Sequence, residues 1–322
     1  MEIFDWKYYL DQYPDLKIAG IQTETQALTH WNTYGKKERR NYDVYIIQYF
    51  PPKHFFLSVM AIFKNEAHIL DEWISTHINE GVEHFYLINN DSTDNFKDVV
   101  STYANFITLI NISGNAKQIT AYNSLKNKIL NESVWVAIID LDEFIFSTQK
   151  DTKIVDYVKE YDTSGAEGIY LPWITYGSSN LKIQPDNVKN NFIFRHSYNA
   201  DHCHTGGKCI VKTDSIEDNF NIHLTHVKNY SLYVNENGKF NSHEWFGCCP
   251  DMYMSEEKIK HMKIRINHYQ IQSEEYFMNI KATRGAADSN QHNNIRNKIY
   301  FDNYDKNEIL DDILSIKYKY EI

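Results

Sequence analysis

The chain has 322 residues, 42% of them apolar, which is enough for one large α/β domain and a small accessory module. Its 43 Asp and Glu against 33 Lys and Arg leave a formal net charge of −10, which excludes the broad basic surface of a general nucleic-acid binder. No apolar run reaches membrane-spanning length, the opening Met1-Glu2-Ile3-Phe4-Asp5 lacks the basic start of a signal peptide, and four cysteines are too few for a secreted disulfide framework. The expectation is a soluble cytoplasmic protein with reduced thiols.

Residues 1–41 read as a small helical module. Ala27, Leu28 and Trp31 form one apolar stripe, and Gly35 followed by Lys36-Lys37-Glu38-Arg39-Arg40 fits a helix C-terminus, so a short pair of helices is predicted. Residues 42–322 then form the second domain, with a nucleotide-binding half over about 56–145 and an irregular half over about 146–322. Leu57–Phe63 reads as a strand and Glu66–Glu80 as a helix, with Leu70, Trp73, Ile74, His77 and Ile78 on one face and Gly81 as its stop. A second strand, His84–Ile88, leads to a helix bearing Phe96, Val99, Val100 and Tyr103, with Ser92 or Thr93 as its cap. Phe106–Ile112 is a third strand, Ala116–Leu130 a third helix and Val134–Ile139 a fourth strand. Strands alternating with helices imply parallel pairing through right-handed crossovers, hence a Rossmann-like sheet. No G-x-G-x-x-G turn and no P-loop follows the first strand, so a dinucleotide cofactor is not expected.

The fourth strand runs into Asp140-Leu141-Asp142-Glu143-Phe144. In an extended chain both aspartates point one way while Leu141 turns into the core. Carboxylates so placed suit a hard divalent cation such as manganese, magnesium or calcium, with open positions left for phosphate oxygens or water. The competing reading is a strand end with solvated acids. A sheet of this kind without a glycine loop must hold a diphosphate by other means, and a cation on Asp140 and Asp142 would serve.

Several ordered blocks resemble the GT-A glycosyltransferases of family 92, a group close to family 2. They are Ala61-Ile62-Phe63-Lys64-Asn65-Glu66-Ala67, Asp71-Glu72-Trp73-Ile74 with His77, Asn89-Asn90-Asp91-Ser92-Thr93-Asp94, and Trp135 with Asp140–Phe144. Further on come Trp173-x-x-Tyr176-Gly177, Gly207-Lys208-Cys209, and Asn267-His268-Tyr269-Gln270 with Lys281 and Arg284-Gly285. The N-terminal Tyr13-Pro14-Asp15-Leu16, His30-Trp31 and Tyr34-Gly35 resemble a module that accompanies polysaccharide and glycosyltransferase proteins. The resemblance implies a GT-A fold, a Rossmann-like mixed sheet flanked by helices, with the small helical module before it.

It further implies a UDP-sugar donor, a UDP-hexose with galactose as first expectation, Mn2+ or Mg2+, and inverting transfer to a glycan or other hydroxyl acceptor. Ile62, Lys64, Glu66, Asn90 or Asp91, Gln118, Asn123, Lys281 and Arg284 would bind the donor, and Asp140, Asp142 and His268 the metal. Asp142 is expected in direct contact, Asp140 through a water or the ribose, and Glu143 as a brace of the turn. Glu244, Asp251 and His226, with His223 beside it, are open choices for the acceptor base. Trp173, Tyr176 and Trp245-Phe246 are placed to stack on sugar rings. His202-Cys203-His204, Cys209, Cys248 and Cys249 leave a structural zinc site as a separate reading, at poor spacing. A pseudoenzyme or a nucleotidyltransferase remains the alternative function, and docking of the module is expected to decide whether the chain forms a homodimer.

Overall fold

In a computed structural model of the chain, the structure describes residues 4, 6–38, 40, 53–198, 206–239, 254–284 and 296–319. The chain divides into two compact units, Met1–Pro52 and Lys53–Ile322. In the first, helices Trp6–Gln12, Pro14–Ile18 and Glu24–His30 run into a π turn, Trp31–Gly35, where the periodicity predicts one helix pair. Pro14 supplies a preformed first helical turn, and Thr23 caps the third helix in a reciprocal box with Gln26. Tyr9, Leu10, Leu16 and Ala27 make the core, whereas Leu28, about 100° further round the helix than Ala27, faces out.

The second unit carries strands β1 (Phe55–Phe63), β2 (His84–Asn90), β3 (Ile107–Ile112), β4 (Ser133–Ile138), β5 (Glu143–Ser147), β6 (Gly168–Thr175), β7 (Phe194–Arg195), β8 (Gly207–Lys212), β9 (Tyr233–Val234), β10 (Ile264–His268) and β11 (Ile309–Leu310). Nine of them form one mixed sheet in the order β3-β2-β1-β4-β8-β6-β10-β5, with β9 beside β6, while β7 and β11 pair separately. β3, β2, β1 and β4 are mutually parallel, as the alternation with helices predicts. β8 then runs antiparallel to β4 and to β6. This is the α/β, Rossmann-like mixed sheet flanked by helices expected of a GT-A fold.

The predicted third helix is two, Gln118–Ser124 and Lys126–Glu132, broken at Leu125. Neither Ser92 nor Thr93 caps the helix Phe96–Thr102, whose cap position is Asn95. Instead the Ser92 hydroxyl accepts from Asn65 N, and Asn65 Oδ1 accepts from Thr93 N, so the loops after β1 and β2 are laced together. Among the described residues, no helix is long and apolar enough to cross a membrane.

Two features shape the sheet around its most acidic turn. β4 and β5 are joined through residues 139–142 alone, yet three strands separate them in the sheet. Laid flat, strands about 4.8 Å apart would put them about 19 Å from each other, so the sheet must curl to bring β5 back beside the end of β4. β5 is also an edge strand, and the helix Ala67–Asn79 covers its outer edge with side chains. Trp73 Nε1 donates to Glu143 O at 2.8 Å, Ile145 N donates to His77 Nε2 at 3.1 Å, and Ser147 N donates to Glu80, the residue capping that helix, at 3.1 Å. Positions 73, 77 and 80 lie one helical turn apart, matching alternate residues of the strand. Backbone groups that would otherwise invite another strand are thereby satisfied.

Candidate active site

The chain runs from β1 through β2 to β3 on one side and places β4 on the other, so the carboxyl ends of β1 and β4 flank the crevice where open α/β sheets take ligands. The acids at the end of β4 are not in an extended chain, as the alternation predicts. They sit in a tight turn in which Glu143 N donates to Asp140 O at 3.1 Å, and Glu143 Oε2 accepts from Asp140 N at 2.9 Å. Leu141 still enters the core, fully buried. The turn therefore aims Asp140 and Asp142 at different partners.

Asp140 Oδ2 accepts from Lys208 Nζ at 2.8 Å and its Oδ1 from Gln118 Nε2 at 3.2 Å. Asp142 takes the Lys281 ammonium on Oδ2, and its Oδ1 lies 3.7 Å from His268 Nε2. Glu143 opens β5 directly opposite His268, the last residue of β10, and its Oε1 lies 4.0 Å from His268 Nε2. Donor atoms of Asp142, Glu143 and His268, all buried, fall within 4.8 Å of one another. The clustered trio is thus Asp142, Glu143 and His268, with Asp140 turned to Lys208. The residues fit a divalent cation: Glu143 Oε1 is buried without a hydrogen-bond partner, and the donors are the oxygens and imidazole that manganese or magnesium accept.

The electrostatics follow from burial and pairing. Burial opposes ionisation of Asp142, but the Lys281 ammonium and His268 outweigh it and hold its carboxyl well below the usual range. Glu143 goes the other way, because burial and the neighbouring Asp140 and Asp142 exceed the help from Lys208 and raise it well above the ordinary value. Burial alone would lower Lys208, yet the carboxylates of Asp140 and Glu143 raise it. Burial lowers His268 despite Asp142, which favours the neutral imidazole that ligates metals.

Around this centre the predicted donor residues take varied positions. Glu66, just past β1, is buried and accepts from Arg284 Nη2 at 2.9 Å and from Tyr276 Oη at 3.2 Å, while Arg284 Nη1 donates to Lys64 O at 2.6 Å. Arg284 thus ties the end of β1 to the segment carrying Lys281, which ends a π turn, Phe277–Lys281, a geometry frequent at functional sites. Ile62 is part of the buried core of β1. Asn90 donates to Gly114 O at 3.0 Å, and Asp91 accepts from Ser113 Oγ at 2.7 Å and Gly114 N at 2.9 Å, so both brace the loop after β3. Asn123 is engaged on both sides by the backbone of Phe220 and so anchors a distant loop.

Tyr176 is not free to stack on a sugar: it is buried, with its hydroxyl on Asp311 O at 3.1 Å. Trp173 is better placed, its ring 4.5 Å from that of His268 and 5.4 Å from that of His223. His226 packs instead on Tyr230, with ring centroids 5.5 Å apart. Cys209 is a buried free thiol that accepts from Thr225 N. Glu244 and Asp251, along with Trp245-Phe246, His202-Cys203-His204, Cys248 and Cys249, lie outside the described residues. Lys208 is the residue that sequence reasoning passed over as a mere block match. Its signal was a lysine flanking the apolar Cys209-Ile210-Val211 of a strand, Gly207–Lys212, whose burial calls for an acid partner.

A family model, glycosyltransferase family 92, matches residues 53–295. Family 92 proteins of Oryza sativa subsp. japonica and Ricinus communis are 24% identical over 186 residues and 26% identical over 191 residues, each match covering 56% of this chain. The matches cover 31% and 33% of those relatives, so the chain spans about a third of the length of the curated proteins it matches. Among solved structures, S. aureus TarS 1-349 in complex with UDP overlaps with a TM-score of 0.35 at 12% identity, over 50% of this chain and 48% of that one. Glucosyl-3-phosphoglycerate synthase from Mycobacterium tuberculosis, in complex with Mn2+, UDP-glucose and phosphoglyceric acid, overlaps with a TM-score of 0.28 at 10% identity, over 50% and 58%.

Proposed function

The chain belongs to glycosyltransferase family 92, and on that premise we propose that it transfers a hexose, galactose first, from a UDP-sugar to a hydroxyl of a glycan acceptor, with inversion and with Mn2+ or Mg2+. The observation that carries the reading is the buried trio Asp142, Glu143 and His268 beside the carboxyl ends of β1 and β4. These three residues would hold the cation, with Asp140 beside them. When bound, the cation supplies Lewis-acid stabilisation of the departing diphosphate.

The chain's own groups do the rest. Lys281 and Arg284 offer positive charge where the leaving group gains negative charge, in a setting from which water is largely excluded. Trp173 gives the acceptor side an apolar ring beside His268. Inversion asks for one base on the acceptor side, and Glu244, Asp251 and His226 are put forward for it.

The test is release of UDP from a panel of UDP-sugars, with and without Mn2+, for the wild type and for Asp142→Asn. This near-isosteric change removes one buried charge, and kcat/KM should fall about a hundredfold or more in a protein whose thermal melt shows it folded. Wild-type turnover in the variant would remove Asp142 from the site. A wild type that binds UDP with Mn2+ but turns over no donor would mark the chain as a binding protein.

A further inference from the structure

Three ion pairs run through the site, and the fully buried Glu143 shares Lys208 with Asp140. Asp140 pairs with Lys208, Asp142 with Lys281 and Glu66 with Arg284. Lys281 and Asp142 are 2% and 6% exposed, so water and salt screen their contact weakly. The ammonium has no easy retreat. It ends the π turn Phe277–Lys281, and Tyr276 immediately before that turn is bonded to Glu66 at the end of β1. Asp142 is also the acid that the cation trio must use, through the oxygen facing His268. A divalent cation on Asp142 would therefore share one carboxylate with a fixed ammonium. Two positive charges added beside that ammonium are strongly disfavoured unless an anion enters with them.

We propose that Lys281 makes cation uptake conditional on the nucleotide: its ammonium keeps a divalent metal off Asp142 until the negative charge of a nucleoside diphosphate arrives to balance both cations. The inference rests on the metal-dependent reading above and adds an order of assembly to it. It also explains why a lysine, a poor residue to bury, sits against the acid best placed to hold the metal.

The test needs no turnover. Mn2+ bound by the purified full chain is followed by loss of the free-ion electron paramagnetic resonance signal, without nucleotide and with saturating UDP, correcting for Mn2+ complexed by UDP alone. The proteins are wild type, Lys281→Met, which keeps the stem and removes the charge, and Lys281→Arg, which keeps the charge. Wild type and Lys281→Arg should take up Mn2+ only with UDP. Lys281→Met should bind Mn2+ alone more tightly than wild type, by at least about tenfold and on the order of a hundredfold for a like charge this close.

Lys281→Met leaves Asp142 without its partner, so its thermal melt is recorded first. Should it not fold, the wild type alone decides: equal Mn2+ affinity with and without UDP overturns the proposal and leaves the metal-dependent reading standing. UDP-dependent uptake in the wild type, with a folded Lys281→Met that binds Mn2+ alone no better, takes the role away from Lys281. No Mn2+ uptake under any condition sinks both readings together.

Discussion

Lys208→Met tests whether the Asp140 contact is an energetic unit or a crystal-like coincidence of two charges. The Lys208 side chain has no exposure, and its Nζ reaches Asp140 Oδ2 at 2.8 Å and Ile222 O at 3.1 Å, with Glu143 Oε2 at 3.8 Å. Breaking a buried pair costs about 3–5 kcal/mol, because the partner is left as an uncompensated charge. Asp140 is 33% exposed, so water takes up part of its charge once Lys208 is gone, and about 2–4 kcal/mol is the expected loss. Asp140→Asn leaves the wholly buried ammonium with only Ile222 O and the more distant Glu143, and should cost about 3–5 kcal/mol. The double variant removes both charges and should cost less than the sum of the singles by about 1.5–3 kcal/mol. Urea denaturation followed by far-UV circular dichroism, with linear extrapolation, supplies all four stabilities of the cycle. A coupling energy below about 0.5 kcal/mol would refute the pairing, since independent sites add to within that margin.

Two further expectations concern the helix that covers β5. Glu80, fully buried, accepts from Ser147 N at 3.1 Å, Ile154 N at 2.7 Å, Lys317 Nζ at 2.5 Å and Tyr318 Oη. Glu80→Ala should destabilise by about 3–5 kcal/mol and speed amide exchange at Ser147 and Ile154; a loss under about 1 kcal/mol with exchange unchanged would contradict the clamp. His77 donates from Nδ1 to Trp73 O at 2.7 Å and accepts on Nε2 from Ile145 N, so it is held neutral, and burial pulls its pKa down to about 4. Between the ordinary value of about 6.5 and 4, the unfolded chain binds the proton and the folded chain does not, so stability falls as pH falls through that window, by about 3 kcal/mol in all. The stability difference between wild type and His77→Gln, measured by urea melts from pH 7 to 4, should narrow accordingly, and a pH-independent difference would show that His77 titrates normally.

The parallel half of the sheet was legible because its signals are local. Apolar runs bounded by Gly81 and by the polar loop Asn89–Asp94 declare β1, β2 and the helix between them without reference to the rest of the chain. The site was legible as a list and not as a geometry. Asp142 and His268 meet only because β5 and β10 pair in a register that sets Glu143 against His268, a contact across 125 residues that no local pattern encodes. The same holds for Lys208, whose acid partners lie in another turn, and for Glu143, which braces the turn as expected through one oxygen while the other joins the cluster. Trp73 and His77 were assigned to an apolar helix face on periodicity, which places them correctly and misses that their polar atoms close a strand edge. Tyr176 illustrates the opposite case, since an aromatic ring suggests a sugar contact and tertiary structure buries the ring and spends its hydroxyl on the backbone.

The short link between β4 and β5 couples recognition to the folding of the whole domain. Asp142 closes the link from β4 and Glu143 opens β5, whereas His268 ends β10, which joins β4 only through β6 and β8, so the trio stands beside the end of β4 only while those strands are in place. A partly unfolded chain that had shed the distal strands would keep the parallel platform and lose its affinity. A ligand held by the trio would draw on the native state alone, and its binding would stabilise the strands that assemble the site by RT ln(1 + [L]/Kd).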